Sequence, residues 1–317
     1  MAIYQAFGTI RDMRLFFLTT LVMTAFAANS VLARLAMVSN SIGPSNFAMI
    51  RVGSGALVLI LLVLIVHKKK PKFKLNTIIS GISLVCYLIG FSFAYLVIDT
   101  GVGALILFGG VQLVMFVGAL VLKEKVNIVR FFGMFLAIVG LFILVDPRIG
   151  GNNLVGMLLM FIASLGWGLY SLLGRGQKSP LSSTSGNFIV ALILMIPFAL
   201  FIPDKITPNS YGLFLAIISG SITSGIGYAV WYWVLPKINI MTASVAQLTV
   251  PLIAAFGGYL FIYETLNWQF YISSILILGG VLAPFHVIVG QEIHQSNYRN
   301  DPVKYDLALV TKSFESL

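Results

Sequence analysis

The chain has 317 residues, of which 59% are hydrophobic and 9% charged, and its mean hydropathy is +0.99. That is far more apolar surface than one water-facing domain can bury, which argues against a soluble globular enzyme. Twenty basic residues against ten acidic ones give a formal charge of +10, but they fall between long apolar runs and so read as membrane orientation signals rather than as a nucleic-acid footprint.

A hydrocarbon core about 30 Å thick takes roughly 20 residues of helix to cross. Ten runs of that order predict ten transmembrane helices, over 15–33, 47–66, 75–98, 103–122, 129–145, 154–173, 184–202, 211–235, 242–262 and 268–289. Turn-forming stretches separate them, among them the Lys-rich segment 68–74 with Pro71 and the Pro-bounded segment 203–208. The runs are apolar at both odd and even positions and too long for barrel strands, so the expected class is an all-α integral membrane protein. Arg11 and Arg14 precede the first run and Ala25-Phe26-Ala27 looks like a cleavage site. The apolar run continues through Val31, so a retained helix is expected rather than a signal peptide. The single cysteine, Cys86, excludes an intramolecular disulfide and any multi-cysteine metal site.

Placing the N-terminus inside leaves only Arg34, Arg51, Arg148 and Lys205 of the 20 basic residues on the outer side. Short loops follow the positive-inside rule best, so both termini are expected in the cytoplasm, with residues 1–14 and the polar tail 291–317 as cytoplasmic extensions. The Lys68, Lys69, Lys70, Lys72 and Lys74 cluster is then a topology signal, and no nucleic-acid partner is expected.

Laying the first five runs over the second five at an offset of 140 residues superimposes Gly118 on Gly258, Glu124 on Glu264, Asn127 on Asn267 and Gly140 on Gly280. An odd number of crossings per half forces the halves into opposite orientations, the arrangement that alternating access exploits. The expected units are residues 15–146 and 154–290. Each Glu sits at a span end, where helix anchoring or a salt bridge accounts for it as well as function does.

These residues carry a resemblance. The two Glu-closed spans, with Pro44 and Arg51 around the second helix and Pro251 in the ninth, resemble the EamA branch of the drug/metabolite transporter superfamily over about residues 15–289. The first repeat departs from it in having Val111 where the second has Pro251. The resemblance implies two inverted five-helix repeats and a carrier of small metabolites, often an exporter of amino acids or related compounds.

Stripes of polar and small residues mark the faces turned away from lipid. The eighth run carries Ser221, Ser224, Gly225, Tyr228, Trp231 and Tyr232 at spacings of three and four; the sixth has Ser164, Trp167, Gly168 and Ser171; the third has Tyr87, Phe91 and Tyr95; the ninth has Ser244, Gln247, Pro251 and Gly258. Helix packing and substrate contact both accommodate such stripes. Trp167, Tyr228, Trp231, Tyr232 and Gln247 are the expected lining of a substrate site, with Tyr95 and the neutral amides Asn29 and Gln112 as further candidates. Pro251, expected mid-helix, removes an intrahelical hydrogen bond and is the candidate hinge. Arg34 and Arg51 are expected together at the external mouth, where Arg51 guards the entrance as an anion-landing residue and Asp99 or Asp146 neutralises Arg34.

None of the ten carboxylates falls at mid-span, where proton-coupled pumps keep a relay, and His286 is expected at an interface, so facilitative or weakly coupled transport is expected. No P-loop, His-Glu-x-x-His or Gly-x-Ser-x-Gly pattern occurs. The expected function is a secondary transporter in the cell membrane, acting as monomer or homodimer without cofactor or metal. The rival readings are a lipid-modifying membrane enzyme, disfavoured by the scatter of His67, His286 and His294, and a non-transporting membrane sensor.

Overall fold

The computed structural model describes residues 10–67, 75–121, 128–145, 154–174, 179–234, 237 and 246–280. The Lys-rich segment 68–74, Glu124, Asp146, Arg148, Ser244, His286, His294 and the tail 291–317 lie outside the described residues, as does the Tyr232 side chain. Among the described residues all regular structure is helical.

The described residues form ten helices in chain order. They are α1 Ile10–Val38, α2 Pro44–His67, α3 Leu75–Ala94, α4 Thr100–Val121, α5 Ile128–Val145, α6 Leu154–Gly174 and α7 Pro180–Phe201, then α8, α9 Val250–Ile262 and α10 Trp268–Gly280. The eighth has three parts: Ser210–Ile218, a π-helical stretch Ser219–Ile226, and Gly227–Val234. Seven of the ten (α1, α2, α3, α4, α6, α7 and α8) are long and apolar enough to cross a membrane. Phe17, Leu57, Ile65, Phe142 and Leu200 are exposed on the outside of the bundle, a surface that hydrocarbon tolerates and water does not.

Helix starts follow local chemistry. Pro44 and Pro180 occupy first positions, where a missing N–H costs nothing. The Asp204 carboxylate accepts from the backbone N–H groups of Ser45 (3.1 Å) and Asn46 (2.7 Å) in the first turn of α2, so a negative charge meets the positive end of that helix. The Asn209 side chain caps α8 by accepting from Gly212 N at 2.9 Å. At the far end of α9, Tyr263 adopts the left-handed conformation (φ 61°) usual for the residue that stops a helix, and the Glu264 N–H returns to Gly258 O.

Pro251 corrects an expectation. It lies in the first turn of α9, directly after a turn at Thr249, and not at mid-span. Thr249 keeps right-handed helical angles (φ −74°, ψ −21°) and residues 246–262 run as one short apolar helix, so the irregularity at Thr249 falls in the turn where Pro251 has no N–H to donate back.

Packing pairs particular helices. α3 lies against α6 and α7, α2 against α7 and the π stretch, α4 against α6 and α9, and α1 against α8 and α9. The α2–α8 contact brings backbone against backbone: a Cβ on Gly220 would collide with the Arg51 carbonyl and Ser54 Oγ, and one on Gly55 would meet the Gly220 carbonyl as well as Phe188 of α7. Gly140 faces Ser273, Leu276 and Ile277 of α10, while Gly280 faces Gly133, Leu136 and Ala137 of α5.

Because the space at Gly220 is closed by backbone, Gly220→Ala is expected to lower stability by about 1–3 kcal/mol, seen as a reduced Tm in detergent. Gly279, with nothing near its Cβ position, is expected to accept alanine without loss.

Candidate functional site

The bundle centre is built from side chains of helices that meet there in pairs. α1 brings Phe26 and Asn29, one turn apart on one face; α3 brings Tyr87 and Phe91; α4 brings Leu107 and Phe108; α6 brings Trp167 and α8 brings Tyr228. Together they line a space of about 10 Å³, room for one water molecule at most. The rings hold each other edge-on or tilted: Trp167 lies 5.1 Å from both Tyr87 and Tyr228, and Phe26 lies 5.5 Å from Tyr228. Trp231 joins through Phe26 at 6.0 Å, and Phe188 through Tyr228 at 5.7 Å. Such pairs contribute about 0.5–1.5 kcal/mol each beyond the area they bury. The centre is therefore a packed aromatic cluster.

Arg51 stands beside it, and here the structure corrects the sequence. Arg51 is 1% exposed and lies within the bundle, not at a mouth with Arg34. Its Nη2 donates to Tyr87 Oη at 2.8 Å and its Nε to Ser224 Oγ at 3.2 Å. The guanidinium carbon lies 4.7 Å from the Phe91 ring centroid and 5.2 Å from that of Tyr87, a cation–π arrangement. No carboxylate pairs with it among the described residues.

The π-helical stretch explains the hydroxyls around it. The Gly227 N–H reaches back five residues to Ile222 O, so the turn is wider than an α-turn and the face read at spacings of three and four shifts. Ser219, Thr223 and Ser224 then converge on Asn29 Oδ1 at 2.8, 2.6 and 3.3 Å. Ser224 links Arg51 to Asn29. Ser221, placed on this face by the sequence, instead donates back to the Ile217 carbonyl.

The other candidates divide. Asn29, Trp167, Tyr228 and Trp231 belong to the cluster or touch it. Tyr95 is buried one ring further along, edge-on to Phe91 at 4.8 Å. Gln112 and Gln247 are half-buried and do not line the central space. Phe26 and Phe108, in uniformly apolar stretches, carried no polar signal that could have singled them out.

Arg34 closes the end of the bundle where α1, α9 and the α3–α4 turn meet. Its Nε donates to Glu264 Oε1 at 2.9 Å, its Nη2 to Asp99 Oδ1 at 3.1 Å and its Nη1 to the Tyr95 and Leu96 carbonyls. The second Glu264 oxygen accepts from the Thr100 N–H at 2.8 Å, at the start of α4. The expected neutralisation of Arg34 by Asp99 is present, and Glu264, for which a salt bridge at a span end was one expected account, is its second partner. At the opposite end a groove of about 550 Å³ opens between α1, α2, α7 and α8, lined by Leu18, Leu62, Val66 and Leu181, with Arg14 over the Trp233 ring at 5.2 Å.

These features define a multi-pass helical membrane protein. Residues 154–284 match the EamA-like transporter family. An uncharacterized protein of Pseudomonas aeruginosa is 38% identical over 277 residues, 86% of this chain and 96% of its own. An uncharacterized transporter of Bacillus subtilis is 25% identical, over 76% of this chain and 87% of its own, and an Escherichia coli protein named a probable amino-acid metabolite efflux pump is 22% identical, over 67% and 77%. A crystal structure at 16% identity shares the fold, with a TM-score of 0.59 over 84% of this chain and 96% of that one. The chain belongs to the EamA-like transporter family.

Glu264→Gln is expected to cost about 2 kcal/mol, because a buried charged hydrogen bond is lost, whereas Asp99→Asn, at a carboxylate 43% exposed, is expected to cost less than about 1 kcal/mol. Thermal unfolding of the two variants in detergent checks the order.

Proposed function

We propose that the chain is a secondary transporter of a small organic metabolite, an amino acid or related compound, working as exporter or facilitator by alternating access around the aromatic centre. The observation that carries this reading is the central space itself. It is narrow, lined by six rings, Leu107 and one amide, and assembled from helices of both halves of the chain. Room for one water is too little for a metabolite, so the conformation is occluded and binding requires the rings to part.

The inverted-repeat reading, with residues 15–146 and 154–290 as the two units and both termini cytoplasmic, rests on the packing pattern. Exchanging α1–α5 for α6–α10 turns α3 on α6 into α8 on α1, α4 on α6 into α9 on α1, and α2 on α8 into α7 on α3, and all of these contacts occur. At the offset of 140, Gly140 against Ser273 and Leu276 becomes Gly280 against Gly133 and Leu136. That exchange supports a pseudo-two-fold relation between the halves, which an odd number of crossings in each half would place in the membrane plane. With the termini inside, the wide groove beside Arg14 opens to the cytoplasm and the Arg34–Glu264 pair seals the outer end. The irregularity at Thr249–Pro251 is the hinge in this scheme, and Trp167, Tyr228, Trp231, Tyr232, Gln247, Gln112, Asn29, Tyr95 and Arg51 are the residues that meet substrate as the rings separate.

Among the described residues the carboxylates Asp99, Asp204 and Glu264 sit at helix ends, which supports transport without a buried proton relay. An amino-acid-like substrate is supported by the printed name of the Escherichia coli relative, and a carrier rather than an enzyme by the family.

Counterflow in proteoliposomes tests the reading: vesicles loaded with a panel of unlabelled amino acids and organic acids are expected to take up a labelled counterpart saturably. Trp167→Ala and Tyr228→Ala are each expected to slow that exchange at least roughly tenfold, the cost of about 1.4 kcal/mol, while Phe256→Ala on the exposed face leaves it unchanged. Normal exchange in the first two variants would contradict the site.

A further inference from the structure

Beside the aromatic centre, against the Tyr87 and Phe91 rings that line it, Arg51 holds a charge and a donor. Arg51 is 1% exposed, and its Nη1 has no hydrogen-bond partner among the described residues. Burying a cation without a counter-ion costs several kcal/mol, which two ring faces and two hydroxyl acceptors offset only in part. The acceptors nearby are already engaged. Asn29 Oδ1 takes three hydroxyl donors, Ser224 Oγ and Tyr87 Oη take Arg51 itself, and the Tyr87 and Phe91 faces are turned to the guanidinium. Of the described acids, Asp99 and Glu264 are bound to Arg34 at the end of the bundle, and Asp204 accepts from the first-turn N–H groups of α2.

Resting on the carrier reading above and narrowing its substrate class to compounds related to amino acids that lack the ammonium group, we infer that the substrate is a net anion, an amphipathic monocarboxylate whose carboxylate pairs with Arg51 Nη1 as the rings part, while its apolar body lies among Trp167, Tyr228 and Phe26. A carboxylate supplies the acceptor that Nη1 lacks, in the bidentate geometry that guanidinium favours. An ammonium on the same molecule would find neither a carboxylate nor an unused amide oxygen there. With no proton relay accompanying the substrate in this reading, each net crossing of the anion moves one negative charge. Exchange of one substrate for another moves none. An inside-negative potential therefore drives such an anion outward.

The experiment uses the full-length protein in proteoliposomes and three probes with one apolar body: 3-phenylpropionate, its carboxamide and its amine. Counterflow of the carboxylate is expected to exceed that of the other two by roughly 30-fold or more, the usual consequence of leaving one member of a buried charge pair alone. Its net uptake is expected to rise when a potassium diffusion potential makes the lumen positive and to fall when the sign is reversed, with counterflow unaffected by either. Arg51→Gln is expected to abolish the preference and Arg51→Lys to restore part of it. If Arg51→Gln does not fold, the wild-type comparison of the three probes and the potential dependence decide alone. Equal transport of carboxamide and carboxylate, faster transport of the amine, of phenylalanine or of another zwitterion, or net uptake indifferent to potential, would overturn the inference while leaving the carrier reading intact. Absence of counterflow for every compound in the wider panel would overturn the carrier reading itself.

Discussion

The rest of the bundle depends on a guanidinium kept out of water with no carboxylate beside it among the described residues. Arg51 is held by two hydroxyls and two ring faces, and each of those partners imposes a condition elsewhere. Ser224 must turn toward α1 and α2, which the wide π-helical turn accomplishes. The α2 and α8 backbones must approach closely, which glycines at positions 55 and 220 allow. Tyr87 must present its hydroxyl to Arg51 and its ring to Trp167, which fixes the contact of α3 with α6. Charge, helix irregularity and helix pairing are thus one arrangement, drawn around a single buried cation whose desolvation would otherwise cost several kcal/mol.

The two ends of the bundle are held differently. At the Arg34 end, ion pairs and helix-terminus contacts tie α1, α4 and α9 together, and Asp204 ties the end of α7 to the start of α2. The other end has a broad apolar groove and the Arg14–Trp233 contact. Polar bonds of defined geometry break and re-form as units, whereas apolar side chains slide. A bundle pinned at one end and loosely packed at the other is suited to rocking about its middle, where the aromatic cluster lies.

The helices were legible in the sequence because hydrocarbon thickness sets their length and leaves little else to decide. The 29-residue α1, about 43 Å long at 1.5 Å per residue, outran its predicted bounds only because polar residues at its ends prolong a helix without crossing lipid. Trp167 and Tyr228 could be picked out because a large aromatic bearing a polar atom is unusual in mid-span. Three features could not. A π-helix leaves no mark in a period of 3.6, so spacings of three and four point to Ser221 and not to Ser219 and Thr223. The depth of Arg51 depends on the direction of its long side chain, which reaches inward from the second turn of α2. The partnership of Arg34 with Glu264, 230 residues apart, depends on which helices become neighbours, and span counting does not specify that.

Alternating access around the cluster is tested most directly by distances across both ends at once. With Cys86 replaced, one pair of spin labels at Val66 and Lys237 reports the Arg14 end, and another at Leu96 and Tyr263, all exposed positions, reports the Arg34 end. Pulsed dipolar spectroscopy on the protein in bilayers, with and without a transported compound, then gives both distributions. The expected result is reciprocal: compound shifts one pair toward longer distances as the other shifts toward shorter ones. Two distributions that stay fixed, or that lengthen together, while the labelled protein still transports would contradict it.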